Sequence, residues 1–428
     1  MAIDQQIDGD TPTSWFDQVV FLAFLLLVFV GLKPFMPPPP EVDAFGAQGM
    51  TGSGDVLRQI GYILVFVAIL IAAVRKRGWL ALAEIPVPLL LLMLWCFVST
   101  LWAVEPGVAV RRAGLATIVL FCACLSVRSL PPARALALWR GVLLVILLVN
   151  LVSIRFIAEA VHQAGEADPA LVGNWRGLYG HKNIAGAVGA MTALLFLFAP
   201  RRAPVWPKKL FDLAVAGLAV FFVVGSHSKS SLGLMVVALL CAIVYKLAWQ
   251  RGIDRSITVT AVLAALVAGA TILIADEAAL AKFFSDPTEF TGRTEIWKAE
   301  IAYFFDHPLL GAGFGSFADT GAVSPLRNYA SAWVTAASHG HNGYLQILVT
   351  LGGVGIVLAF AALIVQPAYS FWRRDDNLSV KAGLFALFVF FLAHNMMESD
   401  FLEADGTAWV AYLLMLTLLR PQNGEALP

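Results

Sequence analysis

Apolar runs long enough to cross a bilayer recur along nearly the whole chain, and this repetition constrains the fold more than any motif does. A spanning helix needs roughly 20 apolar residues, because in hydrocarbon every backbone N–H and C=O must be satisfied within the structure itself. The runs fall at about 16–33, 57–74, 85–103, 108–127, 136–158, 184–199, 210–225, 231–248, 256–275, 342–365, 381–396 and 407–419. The 428 residues are 59% hydrophobic and 14% charged, whereas soluble domains run to about 45–50% apolar and about 25% charged. The expectation is an all-α integral membrane protein with about twelve transmembrane helices, a single polytopic domain over 1–428. No internal repeat of the kind that marks many transporters is visible.

The formal net charge is zero and no basic run stands out, so nothing points to nucleic acid. The first apolar run, Phe16 to Leu32, follows an acidic stretch and meets Lys33-Pro34 without a small-residue cleavage site, so it reads as a retained helix. Cys96, Cys122, Cys124 and Cys241 all lie inside apolar segments without CxxC or His–Cys spacing. Neither a disulfide nor a metal site is expected from them.

Lys and Arg alternate between connections. Arg75-Lys76-Arg77, Arg128 with Arg134, Arg201-Arg202 with Lys208-Lys209, Arg251 with Arg255, and Arg373-Arg374 with Lys381 occupy every second link. Short cytoplasmic loops carry this excess, so both termini are expected in the cytoplasm. The opposite side then holds the loops 34–56, 159–183, 226–230, 276–340 and 397–406. The long one, 276–340, is neither Ser/Gly-rich nor highly charged, and loops of that length are functional or disordered. Within it Thr294 to Phe305 reads as an amphipathic helix with Trp297, Ile301 and Phe305 on one face. It fits either a position flat at the membrane surface or packing against the bundle.

Chemistry-bearing residues gather on that side. Ser226-His227-Ser228-Lys229-Ser230-Ser231 breaks an apolar region at a helix end. A lysine beside helix-start amides suits an anion such as phosphate; a polar hairpin with a snorkelling lysine is the plainer alternative. Asn174 to Asn183, with Arg176, His181 and Lys182, ends where the sixth helix starts. It suits phosphate or sugar hydroxyls, or an interfacial Trp/Tyr anchor with solvated charges. Arg293 precedes the amphipathic helix and by position alone is an ordinary arginine, although its fork suits phosphate. Gly311 to Phe317 is glycine-rich, but it lacks a GKS/T ending and a preceding strand. It reads as a close turn beneath the bundle. Ser338 to Gln346, with His339, His341 and Asn342, opens the tenth helix and would set His341 at its outer mouth. There it is either a base or a hydrogen-bonded helix-entry histidine. Glu398, Asp400, Glu403 and Asp405 are acid/base partners or a solvated turn.

Together these segments resemble the O-antigen ligase and polymerase superfamily, most strongly from Arg176 to Gly355. The carrying motif is His341-Asn342, nine residues (343–351), then Gly352-Gly353-Val354-Gly355. The phrase from Gly292-Arg293 through Trp297 to His307-Pro308-Leu309-Leu310-Gly311-Ala312-Gly313 is also characteristic, and Ser99-x-x-Trp102 before Glu105-Pro106 is a weaker match. Gly180-His181-Lys182-Asn183 and Ser228-Lys229-Ser230 look more like exopolysaccharide polymerases than ligases. Lys229 stands where ligases usually carry arginine, and the ligase signature is not reproduced beyond Gly355.

The resemblance implies a fold like the membrane-embedded C-type glycosyltransferases and a bacterial inner-membrane enzyme with its site on the periplasmic face. It implies an undecaprenyl-pyrophosphate-linked glycan as donor, a second glycan as acceptor, and other polysaccharide-assembly proteins as partners. His341 and Arg293 correspond to the essential histidine and arginine of the large loop. Lys229, Arg176, His181, Lys182, Asn183, His339 and Asn342 would bind pyrophosphate or sugar. No metal or cofactor is implied. Polymerase is the first expectation, ligase onto lipid A-core or protein the second. A transporter of lipid-linked glycan would place its charges near mid-membrane, and these sit at helix ends.

Overall fold

The computed structural model describes residues 14–36, 55–164, 166, 169–199, 206–275, 287–318, 320, 323–330, 340–372 and 377–420. Among these the elements are helices: α1 (Trp15–Phe29), α2 (Val56–Arg77), α3 (Val87–Val98), α4 (Pro106–Arg128), α5 (Pro132–Phe156), α6 (Lys182–Leu197), α7 (Trp206–Gly225), α8 (Lys229–Gln250), α9 (Arg255–Ala275) and α10 (Pro287–Asp306). They continue with α11 (Gly343–Trp372), which contains a π turn at Ala361–Val365, α12 (Leu378–His394) and α13 (Thr407–Leu418). A lone bridge pairs Val161 with Trp175.

Each apolar run read from the sequence falls on a helix. Val56–Glu84, Pro106–Arg128, Pro132–Phe156, Lys229–Gln250 and Gly343–Trp372 are long and apolar enough to cross a membrane; α1, α6, α12 and α13 are among the shorter apolar ones. The architecture is that of an α-helical membrane protein. Helix α12 is buried from Val380 to His394 on all sides, as a helix apolar all round must be. Small residues of α6 let its neighbours approach. A Cβ on Gly189 would fall 2.6 Å from Val223 of α7, and one on Gly186 would fall 2.6 Å from Ser228.

One end of the bundle is tied by charge. Glu84 pairs with Arg77 and, at 2.7 Å, with Arg128, and its carbonyl accepts from Arg420. Arg134 donates to Gln18 at 2.8 Å, bringing the start of α1 to the same end. At the other end Phe35 N–H donates to Leu178 C=O, and Arg58 faces Asp405 at 3.6 Å. The described residues of the links 31–36, 157–181, 226–228, 340–342 and 395–406 are joined there through bonds such as Trp175–Gly225, Asn183–Ser228 and His341–Glu398.

The glycine-rich segment after α10 is a backbone joint. Gly352 breaks the helical path of α11 with φ +68°, and a Cβ there would fall 2.2 Å from Leu309 O. Only glycine accepts that pairing of left-handed backbone and close approach. Gly353 N–H donates to Pro308 C=O (2.8 Å), Ala312 N–H to Val349 C=O (2.9 Å) and Gly313 N–H to Thr350 C=O (2.9 Å). From the other side Ser99 Oγ accepts Phe314 N–H at 2.9 Å, and Trp102 Nε1 donates to Leu310 C=O at 3.3 Å. Residues 311–317 are therefore the close turn that their composition suggests, held by α11 and by Ser99 and Trp102 just after α3.

Helix α10 packs inward through the face beside the Trp297–Ile301–Phe305 stripe. Ile296, Ala299 and Tyr303 are buried against Phe317, Leu326 and Val349. Ile301 and Phe305 are exposed, and Trp297 Nε1 donates to Gly340 C=O at 2.7 Å. The Trp297–Ile301–Phe305 stripe is regular, but the surface offered by Val349 and Phe317 meets the neighbouring stripe.

Candidate active site

Glu398 is the hub. It lies in the link after α12, nine-tenths buried, with both carboxylate oxygens occupied. Oε1 accepts from Asn183 Nδ2 at 2.6 Å and faces Arg293 Nη2 at 3.1 Å. Oε2 meets His341 Nδ1 at 3.1 Å. Arg293 Nη1 also donates to Met397 C=O at 2.8 Å. Burial alone would raise the Glu398 carboxyl pKa. The His341 hydrogen bond and the Arg293 charge outweigh it and hold the group well below the usual carboxylate range.

The link is shaped to present that carboxylate. Asn395 Oδ1 accepts from Asp400 N–H (3.1 Å) and Phe401 N–H (2.8 Å), closing a tight turn. Gly343 N–H donates to both Asn395 C=O (2.8 Å) and Glu398 C=O (3.0 Å). A Cβ on Gly343 would fall 2.2 Å from Asn395 Oδ1, so the start of α11 sits directly on the turn. Asn342 caps α11 by accepting from Tyr344 and Leu345 N–H, and its own amide donates to Met396 C=O. His341 therefore enters the helix with φ +51°. A non-glycine residue in that region is uncommon, and such strain gathers at functional sites.

The start of α6 brings the next residues. His181 caps the helix through Nδ1, accepting Asn183 N–H at 3.2 Å. Burial pushes its pKa down to about 4, against the attraction of Glu398. Lys182 is buried, and its N–H donates to His162 Nε2 at 3.2 Å. Asn183 Oδ1 lies 3.4 Å from Ser228 Oγ, at the start of α8. Lys229, the first residue of α8, is exposed beside it.

Arg176 goes elsewhere. It is 1% exposed, donates to Glu159 C=O at 2.7 Å and pairs with Glu166 at 3.1 Å. Glu166 also holds His162 at 2.6 Å. This network braces the loop before α6 from behind. His339 lies outside the described residues.

The structure thus joins Arg293, His341 and Asn183 on one carboxylate, seats Asn342 and His181 next to them, and gives Arg176 a separate buried set of partners. Glu398 was legible only as one of four acidic residues in its link. Asp400 was legible in the same way and Ser231 only as the end of the Ser226–Ser231 segment, whereas His394 carried no distinguishing signal. Among the described residues no group of three or more His, Cys, Asp or Glu side chains is placed to hold a metal ion.

A carboxylate that orients a histidine while neutralising an arginine suits proton transfer next to an anionic group. Comparison with known families bears on that chemistry. Residues 213–360 match the O-antigen ligase family. No curated protein matches the chain. The matched segment runs from α7 into α11 and contains Lys229, Arg293, His341 and the Gly352–Gly355 kink. On that match this part of the chain is similar to the O-antigen ligase family, which supports the resemblance to the O-antigen ligase and polymerase superfamily.

Proposed function

We propose that this protein is a polymerase of undecaprenyl-pyrophosphate-linked oligosaccharide repeat units, making an exopolysaccharide or O-antigen at the periplasmic face of the inner membrane. The observation that carries the reading is the shared Glu398 carboxylate, with His341 on one oxygen and Arg293 on the other.

In the neutral tautomer that donates Nδ1–H to Glu398, His341 Nε2 carries a lone pair. It takes the proton of an acceptor sugar hydroxyl. The acceptor oxygen bonds to C1 of the donor sugar as the C1–O bond to pyrophosphate breaks, and the electron pair leaves on the lipid pyrophosphate. Arg293 and Lys229 stabilise that developing charge. Guanidinium has five N–H donors, so the bonds to Met397 and Glu398 still leave donors for phosphate oxygens. His181, Lys182, Asn183 and Asn342 shape the sugar and phosphate side of the site, and Arg176 braces it. Polymerase is favoured by Gly180-His181-Lys182-Asn183 and Ser228-Lys229-Ser230. The matched family's description favours a second reading, a ligase moving a finished glycan to lipid A-core or protein.

Gels of lipid-linked and surface glycans from cells lacking the protein test this. Single repeat units on undecaprenyl pyrophosphate with no ladder support the polymerase. Long lipid-linked chains that never reach lipid A or protein support the ligase. Restoration of the wild-type pattern by both His341→Ala and Arg293→Ala would exclude the mechanism.

A further inference from the structure

Behind Glu398 a hydrogen-bonded path runs into the bundle through groups that the proposed reaction does not use. Ser228 Oγ lies 2.9 Å from Ser231 Oγ, and Ser231 Oγ lies 3.4 Å from His394 Nε2. His394 Nδ1 lies 2.6 Å from Asp400 Oδ2. Ser231, Ser228 and His394 are 0%, 2% and 1% exposed. The order Ser231–His394–Asp400 has the connectivity of a nucleophile triad. Its hydroxyl is sealed from any glycan, so nucleophilic attack is excluded. What the path does reach is Asn183 Oδ1, and Asn183 Nδ2 grips Glu398 at 2.6 Å.

Each serine hydroxyl has one proton to give, so the path has a direction, and it is set at His394. His394 Nδ1 donates to the Asp400 carboxylate, so Nε2 donates to Ser231 when the ring is the imidazolium; Ser231 then donates to Ser228 and Ser228 to Asn183 Oδ1. The Asn183 carbonyl is then held and its NH2 is turned toward Glu398. In the neutral ring, with Nδ1–H still on Asp400, Nε2 accepts from Ser231, the Ser228 proton goes to Ser231 and Asn183 Oδ1 loses that donor. The ring is fixed in place by Asp400 and by stacking on Phe390, centroids 5.2 Å apart. The charged groups acting on it are Asp400 and Glu398 from the link and Arg293 from α10.

We propose that His394, anchored by Asp400, is a positioning residue of this site. Through Ser231 and Ser228 it orients Asn183, and so fixes the Glu398 carboxylate on which His341 and Arg293 rest. The inference depends on the reading of His341 and Arg293 given above.

The test uses the full-length protein in lipid vesicles with a lipid-pyrophosphate-linked repeat unit, and it has two readouts. One is kcat and KM for glycan transfer. The other is the rate at which diethylpyrocarbonate modifies His341, followed by mass spectrometry, which needs no turnover. His394→Gln keeps an N–H donor toward Ser231, His394→Asn keeps only the donor toward Asp400, and Ser231→Ala removes a single buried oxygen. His394→Gln is expected to retain most activity. His394→Asn and Ser231→Ala are expected to lose about 10²-fold in kcat with KM little changed, the size of effect a ~1 Å misplacement produces. In both, His341 reacts severalfold faster as its bond to Glu398 loosens. Wild-type kcat and wild-type His341 reactivity in both variants overturn the inference, and they leave the reading of the site standing if His341→Ala is inactive. If His341→Ala and Arg293→Ala are both fully active, that reading falls. The His341 reactivity in Ser231→Ala then decides the coupling alone, faster supporting it and unchanged overturning it.

Discussion

His341 Nδ1 and Glu398 Oε2 are 3.1 Å apart, although 57 residues separate them in the chain. The other oxygen of the same carboxylate holds Arg293. The base and the cation of the proposed reaction therefore share one anchor, and removing its charge affects both. Glu398→Gln keeps the shape, loses the charge and cannot accept equally at both oxygens. Transfer is expected to fall about 10²- to 10⁴-fold, the range a positioned acid/base group contributes. Incorporation of labelled repeat unit into long chains measures it. Activity within threefold of wild type would remove Glu398 from the mechanism.

Acid should act on the fold in two stages. Burial pushes His181 down to about 4 from an ordinary value near 6.5. The unfolded chain therefore binds the His181 proton first, and the stability tied to neutral His181 is present above about 6.5 and lost as pH falls toward about 4. For Glu398, burial is outweighed by His341 and Arg293, so its folded pKa is depressed. Its contribution is present above the ordinary glutamate value of about 4.3 and is lost only below that. His181→Asn keeps a residue able to cap α6 but removes the first stage. Between pH 6.5 and 4 its melting temperature should fall less steeply than that of wild type. Identical slopes would show that His181 does not titrate in this way.

The kink of α11 separates two adjacent glycines. A methyl on Gly352 meets Leu309 O at 2.2 Å in left-handed backbone, whereas one on Gly353 meets Pro308 O at 3.0 Å. Gly352→Ala should cost several kcal/mol, combining strained backbone with a backbone clash. Gly353→Ala should cost clearly less. Chemical denaturation in detergent, or the yield of monodisperse protein, ranks the two; a reversed order would contradict the joint described here.

How much of this was legible follows from which signals are periodic. Apolar runs repeat at helical length, so every run from 16–33 to 407–419 falls on a helix. Among the described residues, Arg77 and Arg128 meet on Glu84 and Arg134 reaches Gln18, while Asn183, Arg293 and His341 meet on Glu398. The stripe of Trp297, Ile301 and Phe305 left two positions open for α10, and the packing partner selects Ile296, Ala299 and Tyr303 beside it, a choice made by contacts in space. Glu398 could not be ranked above Asp400, Glu403 or Asp405. What singles it out is the Asn395 turn, a local geometry without periodicity. The fit of Gly352 against Leu309 likewise depends on two backbones meeting in space.

Lys229 tests how general the anionic site is. It is the first residue of α8, where unsatisfied backbone N–H groups already favour an anion, and it follows Ser228, whose hydroxyl reaches Asn183. Lys229→Arg keeps the charge and adds a fork, so it should retain most activity. Lys229→Ala should lose about 10-fold or more, about 1.4 kcal/mol at least of transition-state stabilisation. Equal loss in the two variants would count against a simple charge role.

Arg176 separates a substrate contact from a brace. Its Nε donates to Glu159 C=O and its Nη1 pairs with Glu166, in a pocket that also holds His162. Lysine keeps the charge but cannot make both contacts in that geometry. One buried hydrogen bond left unmade costs about 1–3 kcal/mol. Arg176→Lys should therefore melt several degrees lower, while the folded fraction keeps kcat and KM close to wild type. A direct pyrophosphate contact predicts the reverse, with unchanged melting and impaired turnover. Measuring both quantities on one preparation assigns Arg176 to the loop before α6 or to the reacting phosphates.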